Sequence, residues 1–197
     1  DPKTAEKAAV WAPKAQKAQE LSDALYSYIE SLKHDLKVAA DLKIKNGEEE
    51  YNDHNLSTTT RFFLQGNKPT KGQDLLARLT QFKKDLAAID PGIEKEIIPN
   101  LPLDLSIPET KTIAGKNDWA YAYFNMTPPV AALTILTKFQ NDIRNSESQV
   151  LEYCHKEIGE VELIYDQFNA FASSNSQYLM AGENLEITAG VGAFSSA

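Results

Sequence analysis

The stretch from Thr127 to about Ala172 constrains the fold most, because its apolar residues repeat with the period of one long helix. Thr127 is a favourable N-cap, and Pro128 suits a first helical turn, where a missing N–H costs nothing. Steps of three, four and seven connect Leu133, Leu136, Phe139, Ile143, Val150, Cys154, Ile158, Val161, Tyr165, Phe168 and Phe171. Gly159 costs about 1 kcal/mol relative to alanine and is expected to lie within the helix. About 45 residues at about 1.5 Å each predict a rod of about 70 Å.

This stripe has one gap, at Asn145–Glu147, which is the most polar part of the run. Two further segments have helical periodicity. A helix is predicted from Pro13 to about Lys43, and it is expected to start anew at Pro13 because the residue before a proline avoids the α conformation. Another is predicted from about Thr70 to Ile89. Asp90–Pro91 then caps and begins a short helix that ends near Ile98.

The segments between these helices are predicted to be irregular. Residues 44–70 are interpreted as a loop that follows the helix stop Asn46–Gly47 and has one apolar patch at Phe62–Leu64. Residues 99–127 contain several prolines, so the alternating apolar residues of 101–107 favour an extended segment along the bundle over a central strand. The aromatic cluster Trp119, Tyr121, Tyr123 and Phe124 is expected to fix the returning chain to the long helix.

The composition changes after Ala172. Ser173–Ser176 is interpreted as a polar hinge, and residues 178–180 and 185–191 have the pattern of strands. One or two strands are not stable alone, so this part is expected to be displaced, disordered or paired with a neighbouring chain. The predicted fold is all-α: an elongated bundle over residues 1–173 with one very long C-terminal helix. Residues 174–197 are then the hinge and first strands of a truncated β-rich domain.

Charge and composition exclude several classes of protein. The 197 residues carry a net charge of −8, which disfavours nucleic-acid binding and anionic membrane surfaces, since both need clustered lysine and arginine. The single cysteine, Cys154, excludes an internal disulfide. No apolar run is long enough for a membrane span and no signal peptide is present. Because the chain begins at Asp1 without a methionine, it is expected to be a mature or excised fragment, so a missing anchor here does not exclude one in the whole protein.

Candidate residues for chemistry are few and scattered, and no nucleotide-binding or zinc motif is present. His34, His54 and His155 fall on different predicted elements. Asp53–His54 offers oxygen and nitrogen to a metal, but the spaced carboxylates of a calcium loop are missing, and a solvated turn is favoured. Cys154 and His155 resemble a nucleophile beside a base, yet adjacent helical residues point about 100° apart. A buried thiol is favoured for Cys154, with an interface thiol as the alternative.

Three other patterns have structural readings that compete with functional ones. Glu48–Glu50 is a charge run typical of a solvated loop. Asn55–Ser57 and Asn125–Thr127 match the glycosylation pattern, although the second is better explained as a helix entry. The aromatic cluster could form a ligand platform, but core packing is favoured. We therefore predict no catalytic, cofactor-binding or metal-binding residue.

Several longer stretches of the sequence form recognisable blocks: Tyr123–Thr134, Lys138–Asp142, Asn145–Glu147, Glu152–His155 and Ala189–Phe194. These blocks resemble the first periplasmic domain of the GldM gliding motility family, whose counterpart PorM belongs to the type IX secretion system of the Bacteroidetes. The resemblance is strong over residues 119–194 and in the helix around Ala18–Leu36, and weak over 44–115.

The resemblance implies a periplasmic domain anchored to the inner membrane by an N-terminal helix that is absent from this chain. That helix pairs with GldL in a motor driven by the proton-motive force, and its proton-coupling residues lie outside this sequence. The family also implies an elongated homodimer whose later β-rich domains reach the outer-membrane-associated GldK and GldN. The implied role is a stalk segment that transmits force or torque, without enzymatic activity or cofactors.

A passive scaffold that positions partner proteins is the alternative. A force-transmitting link needs an unbroken stiff path, whereas a scaffold tolerates a flexible joint as long as its partners still bind.

Overall fold

The chain forms two compact units, residues 1–159 and 160–197. The computed structural model describes residues 2–107, 118–159, 167–174 and 186–194. The helices of the first unit are α1 (Pro2–Ala39), α2 (Leu56–Leu64), α3 (Lys71–Ala87), α4 (Trp119–Phe124) and α5 (Pro129–Gly159), with a π-helix at Ile93–Ile97 and a 3-10 helix at Ile98–Asn100. A hairpin of β1 (Lys43–Lys45) and β2 (Glu48–Glu50) follows α1, and the second unit contains β3 (Gln167–Ser174) and β4 (Ile187–Phe194). The predicted helical bundle, with a long helix and strands near its C-terminus, is confirmed.

The core of the first unit lies where the apolar faces of α1, α3 and α5 meet. Each face repeats every three or four residues, so its members share one side of the helix. The buried members are Leu25, Ile29, Leu32 and Leu36 of α1, Leu75, Leu79, Phe82 and Leu86 of α3, and Leu136, Phe139, Ile143, Val150 and Cys154 of α5. The three predicted stripes thus contribute to one core, in which α1 packs against both α5 and α3, while α3 packs mainly on α1, α2 and α4 and has little direct contact with α5.

Helix α1 is continuous from Pro2 to Ala39 with Pro13 inside it, so the predicted break at Ala12–Pro13 is wrong. An interior proline removes one backbone hydrogen bond and costs about 3 kcal/mol. Contacts of the first turns offset this cost: the Trp11 ring packs edge-on against Tyr153 of α5, with 5.7 Å between ring centroids. The helix also ends before the predicted Lys43.

Helix α5 ends at Gly159, so the predicted continuation to Ala172 is wrong. Residues 167–174 form β3, which pairs antiparallel with β4 from Gln167↔Phe194 to Ser174↔Ile187. The three-residue step from Phe168 to Phe171 fits a helix locally, but pairing with a distant strand satisfies the backbone instead. Residues 160–166, with the predicted stripe positions Val161 and Tyr165, lie outside the described residues.

Thr127 does not cap α5. Its hydroxyl donates to the carbonyl oxygens of Tyr123 (3.0 Å) and Asn125 (3.3 Å), which lie in the last turn of α4 and just after it. The carbonyl of Pro128 accepts the N–H of Ala132 at 3.0 Å. Thr127 therefore closes the preceding short helix, and Pro128 stands directly before the first residue of α5.

Residues 44–70 are not the single loop that the sequence predicts. Asn46 and Gly47 have φ of +54° and +84°, the positive values that a type I′ hairpin turn needs, and Lys45 pairs with Glu48 across them. Helix α2 then begins after Asn55, whose side chain accepts the N–H of Ser57 at 3.1 Å. The Asn–Gly pair is thus a hairpin signal that we read as a helix stop.

The apolar patch predicted at Phe62–Leu64 is the C-terminal turn of α2. Phe63 is fully buried, and its ring stacks on Phe124 of α4 with 3.9 Å between centroids. Trp119 of α4 is also buried and packs against Phe139 of α5 at 5.6 Å. The aromatic cluster therefore fixes α4 to the long helix, as predicted.

Side-chain caps begin the helical segments between the long helices, and the cap predicted at Asp90 is confirmed. Thr70 and Gln73 form a capping box at the start of α3, each side chain binding the other's backbone N–H. Asp90 accepts the N–H of Gly92 at 2.7 Å at the start of the next helical segment. Residues 101–107 form neither helix nor strand, and Leu103 among them is fully buried. Residues 108–117 lie outside the described part of the chain.

In the second unit, the strand predicted over residues 185–191 is confirmed from Ile187 onward. The expectation that it lacks a partner in its own chain is wrong, because β4 pairs with β3. Residues 178–185 and the hinge positions 175 and 176 lie outside the described residues. The division into domains at residue 173 stays a prediction.

Candidate functional site

The residues that the sequence suggested for chemistry are solvated, buried or structural. His34 and His155 are exposed on α1 and α5. His54 is 86% exposed, and its Nε2 lies 3.5 Å from Asp53 Oδ1, as in a solvated turn. Cys154 is 1% exposed, and burial raises the pKa of its thiol. Within the described residues, no group of three His, Cys, Asp or Glu side chains is arranged to hold a metal ion.

The remaining patterns have structural roles. The acidic run Glu48–Glu50 is strand β2, and Glu49 forms an ion pair with Lys37 of α1. Asn55 caps α2, and Asn125 is the residue that ends α4. None of these positions requires a ligand.

The contact between α1 and α5 is the most extensive between described helices. The two helices run antiparallel, since Trp11 meets Tyr153, Asp23 meets Arg144, and Lys33 meets Gln140. The first turns of α1 and the last turns of α5 therefore lie at the same end of the first unit.

Both helices carry a heptad repeat at this contact. Steps of three and four connect Ala18, Ser22, Leu25, Ile29, Leu32 and Leu36 in α1, and Leu136, Gln140, Ile143, Glu147, Val150 and Cys154 in α5; all are buried. Such a repeat is typical of paired helices that pack side chains into each other's gaps. Ser22, Gln140 and Glu147 are polar residues at these inward positions.

One group of residues joins α1 and α5 to the segment before the π-helix. We define this entry cluster as Trp11, Lys14, Asp90, Gly92 and Tyr153. Lys14 Nζ lies 3.9 Å from the centroid of the Trp11 ring and donates to Asp90 Oδ2 at 2.6 Å. Asp90 Oδ1 accepts the N–H of Gly92 at 2.7 Å. Burial raises the pKa of Asp90, but these hydrogen bonds outweigh it and hold the pKa below its usual value. Asp90 is therefore a carboxylate at neutral pH.

Gly92 gives Tyr153 the room to enter this cluster. A Cβ at residue 92 would lie 2.0 Å from the Tyr153 hydroxyl oxygen. The backbone there is helical, with φ −68° and ψ −42°, so any residue could adopt it. Glycine is needed for space and not for its conformational freedom.

We expect Gly92→Ala to lower the free energy of unfolding by about 1–3 kcal/mol, the usual cost of overpacking. Alanine is favoured over glycine in a helix by about 1 kcal/mol. Whether Gly92→Ala lowers or raises the free energy of unfolding therefore depends on whether Tyr153 occupies the space beside residue 92. In a Tyr153→Ala background the same substitution is expected to be neutral or stabilising. Denaturant unfolding of the four proteins measures this coupling, and an equal loss in both backgrounds would contradict the packing argument.

A second group of polar contacts lies further along the contact between α1 and α5. We define this polar seam as Asp23, Tyr26, Glu30 and Lys33 of α1 with Gln140 and Arg144 of α5. Gln140 is 2% exposed; its Nε2 donates to Glu30 Oε2 (2.9 Å) and to the Tyr26 carbonyl oxygen (3.3 Å), and its Oε1 accepts from Lys33 Nζ (3.0 Å). The hydrogen bond from Gln140 is the main reason that the pKa of Glu30 lies below its usual value.

Arg144 completes the seam one turn further along α5. Its guanidinium lies 4.6 Å from the Tyr26 ring centroid, and its Nη1 is 2.7 Å from both Asp23 Oδ1 and Glu147 Oε2. Beside it, Ser146 is fully buried and donates to the Asp142 carbonyl oxygen at 2.7 Å. The polar gap predicted at Asn145–Glu147 thus lies largely on the buried side of α5, where Ser146 and Glu147 are both buried.

Sequence reasoning missed both groups of residues. Gln140 and Glu147 continue the heptad steps of the apolar stripe, so this spacing was the signal that could have marked them as buried. The entry cluster had no such signal, because its members come from three separate segments.

Comparison with known protein families gives a match to the GldM N-terminal domain over residues 2–157. The matched range includes the heptad repeats, the polar seam and the entry cluster. No curated protein matches the sequence. None of the helices in the described ranges combines the length and apolar character that crossing a membrane demands.

Proposed function

The chain belongs to the GldM family, and on that premise we propose that it is a segment of a periplasmic stalk that transmits force or torque. Membership of the GldM family makes the chain a component of the gliding motility and type IX secretion machinery. In our proposal, a helix outside this chain anchors the protein in the inner membrane and pairs with GldL. The full-length protein is a homodimer that reaches GldK and GldN at the outer membrane, in a bacterium of the Bacteroidetes, and the chain has no enzymatic activity.

The α1–α5 pair is the observation that supports this role. α1 has 38 residues and α5 has 31, so at about 1.5 Å per residue they extend about 57 Å and 46 Å. Their heptad repeats pack along the contact, and the entry cluster adds an ion pair and ring contacts at one end. A helix pair connected in this way resists bending better than a chain of loops.

The passive scaffold remains the second candidate, and one observation favours it. Because α1 starts and α5 ends at the same end of the first unit, most of the bundle lies outside the direct path between residues 2 and 159. The far end, with the β1–β2 hairpin and α2, is then placed to present a surface to other proteins. In either case, we propose a helical domain followed by the start of a β-rich one, and we count β3 (Gln167–Ser174) in the β-rich part because it pairs with β4.

A flexible joint distinguishes the two roles. We expect a short Gly/Ser insertion between Gly159 and Glu160 of the full-length protein to leave expression, dimerisation and co-purification of GldL, GldK and GldN intact. Gliding or secretion should nevertheless fall strongly, because such a linker behaves as a flexible coil and does not carry bending or torsion.

The matched control is an insertion of equal length with an alanine-rich helical sequence, which lengthens the protein but stays semi-rigid. It is expected to retain more activity than the flexible insertion. If the flexible variant assembles and works at the wild-type level, the force-transmitting role is wrong and the scaffold stands.

A further inference from the structure

We propose that Gln140 is a register lock, which fixes the turn of α1 that packs against each turn of α5. The observation is a buried amide on one long helix whose hydrogen bonds all go to the other. Its partners Tyr26, Glu30 and Lys33 lie within two turns of α1. The amide thus recognises one position along α1.

The apolar part of the contact does not define a register by itself. Hydrophobic contacts are non-directional, and a heptad repeat presents the same spacing after a slide of one heptad. Such a slide, about 10 Å along the axis, leaves apolar residues facing apolar residues over most of the pair. Sliding by half a heptad, about 5 Å, also keeps inward positions opposite inward positions.

Gln140 distinguishes the observed register from the displaced ones because its hydrogen bonds are directional. In a displaced register the amide faces other turns of α1, and Lys33 and the Tyr26 carbonyl are out of reach. A buried polar group left without partners costs about 1–3 kcal/mol. Polar residues at single inward positions of heptad repeats are known to specify register at some expense of stability.

The contacts of Arg144 favour the same register but contribute less. Arg144 is 41% exposed and Asp23 is 54% exposed, and exposed ion pairs add little to stability. In the middle of the helix pair the lock therefore depends on the buried amide, with Arg144 as a supporting contact on its solvent side and the Trp11–Tyr153 ring contact supporting the same register at one end.

The test measures axial position directly in the 197-residue chain. Spin labels are placed on cysteines at Ser27 of α1 and Ser148 of α5, both exposed, in a Cys154→Ala background. Pulsed electron resonance then gives the distance distribution between them. We expect a single narrow distribution for this parent protein. In Gln140→Leu we expect an additional population displaced by about 5 or 10 Å along the helix axis, with cooperative unfolding retained.

Gln149→Leu is the matched control, since it makes the same change on α5 beside Ile97 and Asn100, away from α1. It is expected to keep the single distribution. A second variant, Gln140→Met, removes all three hydrogen bonds with an unbranched side chain closer in shape to glutamine. It should also give a displaced population, and it decides the question if Gln140→Leu does not fold. A single, unchanged distribution in either folded variant overturns the proposal.

Discussion

Replacing Phe139 with alanine is expected to lower the free energy of unfolding of the helical unit by about 3–5 kcal/mol. The Phe139 side chain is fully buried, and its ring lies 5.6 Å from Trp119 and 5.7 Å from Tyr123. Alanine leaves a cavity that α4 and α5 fill only in part, because α4 is held against α2 by the stacking of Phe124 on Phe63. Denaturant unfolding followed by circular dichroism measures the loss.

Val130→Ala is the control for Phe139→Ala. Val130 lies on the same helix but is 42% exposed, so its truncation is expected to change stability by less than about 1 kcal/mol. A loss of under about 1 kcal/mol for Phe139→Ala would show that the stripe of α5 is not the core.

Ser146→Pro is expected to have an effect of comparable size, about 3 kcal/mol or more. It would remove the backbone hydrogen bond to Asp142 and place a ring against the carbonyl of that residue. Since Ser146 is fully buried, the kink would also separate α5 from the helices packed on that side. Thermal melting should show a strongly lowered midpoint or the loss of cooperative unfolding.

The control here is Ser146→Ala, which keeps the helix and removes one hydroxyl hydrogen bond, that to the Asp142 carbonyl. Alanine has the higher helix propensity, and the expected change is within about 1 kcal/mol. If Ser146→Pro melted within a few degrees of the wild type, α5 would not be continuous through this position in solution.

The sequence predicts best those features that depend on neighbouring residues. Asp90 lies directly before Pro91 and accepts the N–H of Gly92, as expected of the predicted cap. The stripe from Leu136 to Cys154 gives both the helix and its buried face. Asn46–Gly47 carries an equally local signal, but we interpret it from the sequence as a helix stop, and it forms a hairpin turn instead.

Features set by distant residues could not be predicted in this way. The helical conformation at Pro13 depends on contacts with Tyr153, about 140 positions further along the chain. The strand Gln167–Ser174 has a helical spacing of phenylalanines, and its conformation depends on pairing with Ile187–Phe194. The entry cluster is of the same kind, because Lys14 and Asp90 are 76 positions apart.

The antiparallel run of α1 and α5 has a mechanical consequence. A tension applied between residues 2 and 159 acts at the end of the helix pair where α1 starts and α5 ends. It therefore separates the two helices progressively from that end, whereas shear along the helix axes would load all contacts in parallel. The first bonds to bear such a tension are those of Trp11, Lys14, Asp90 and Tyr153. Peeling breaks contacts one after another, and each later contact is protected as long as the outermost ones hold. The force needed to separate the helix pair is therefore set by the few side chains at the end where α1 starts and α5 ends.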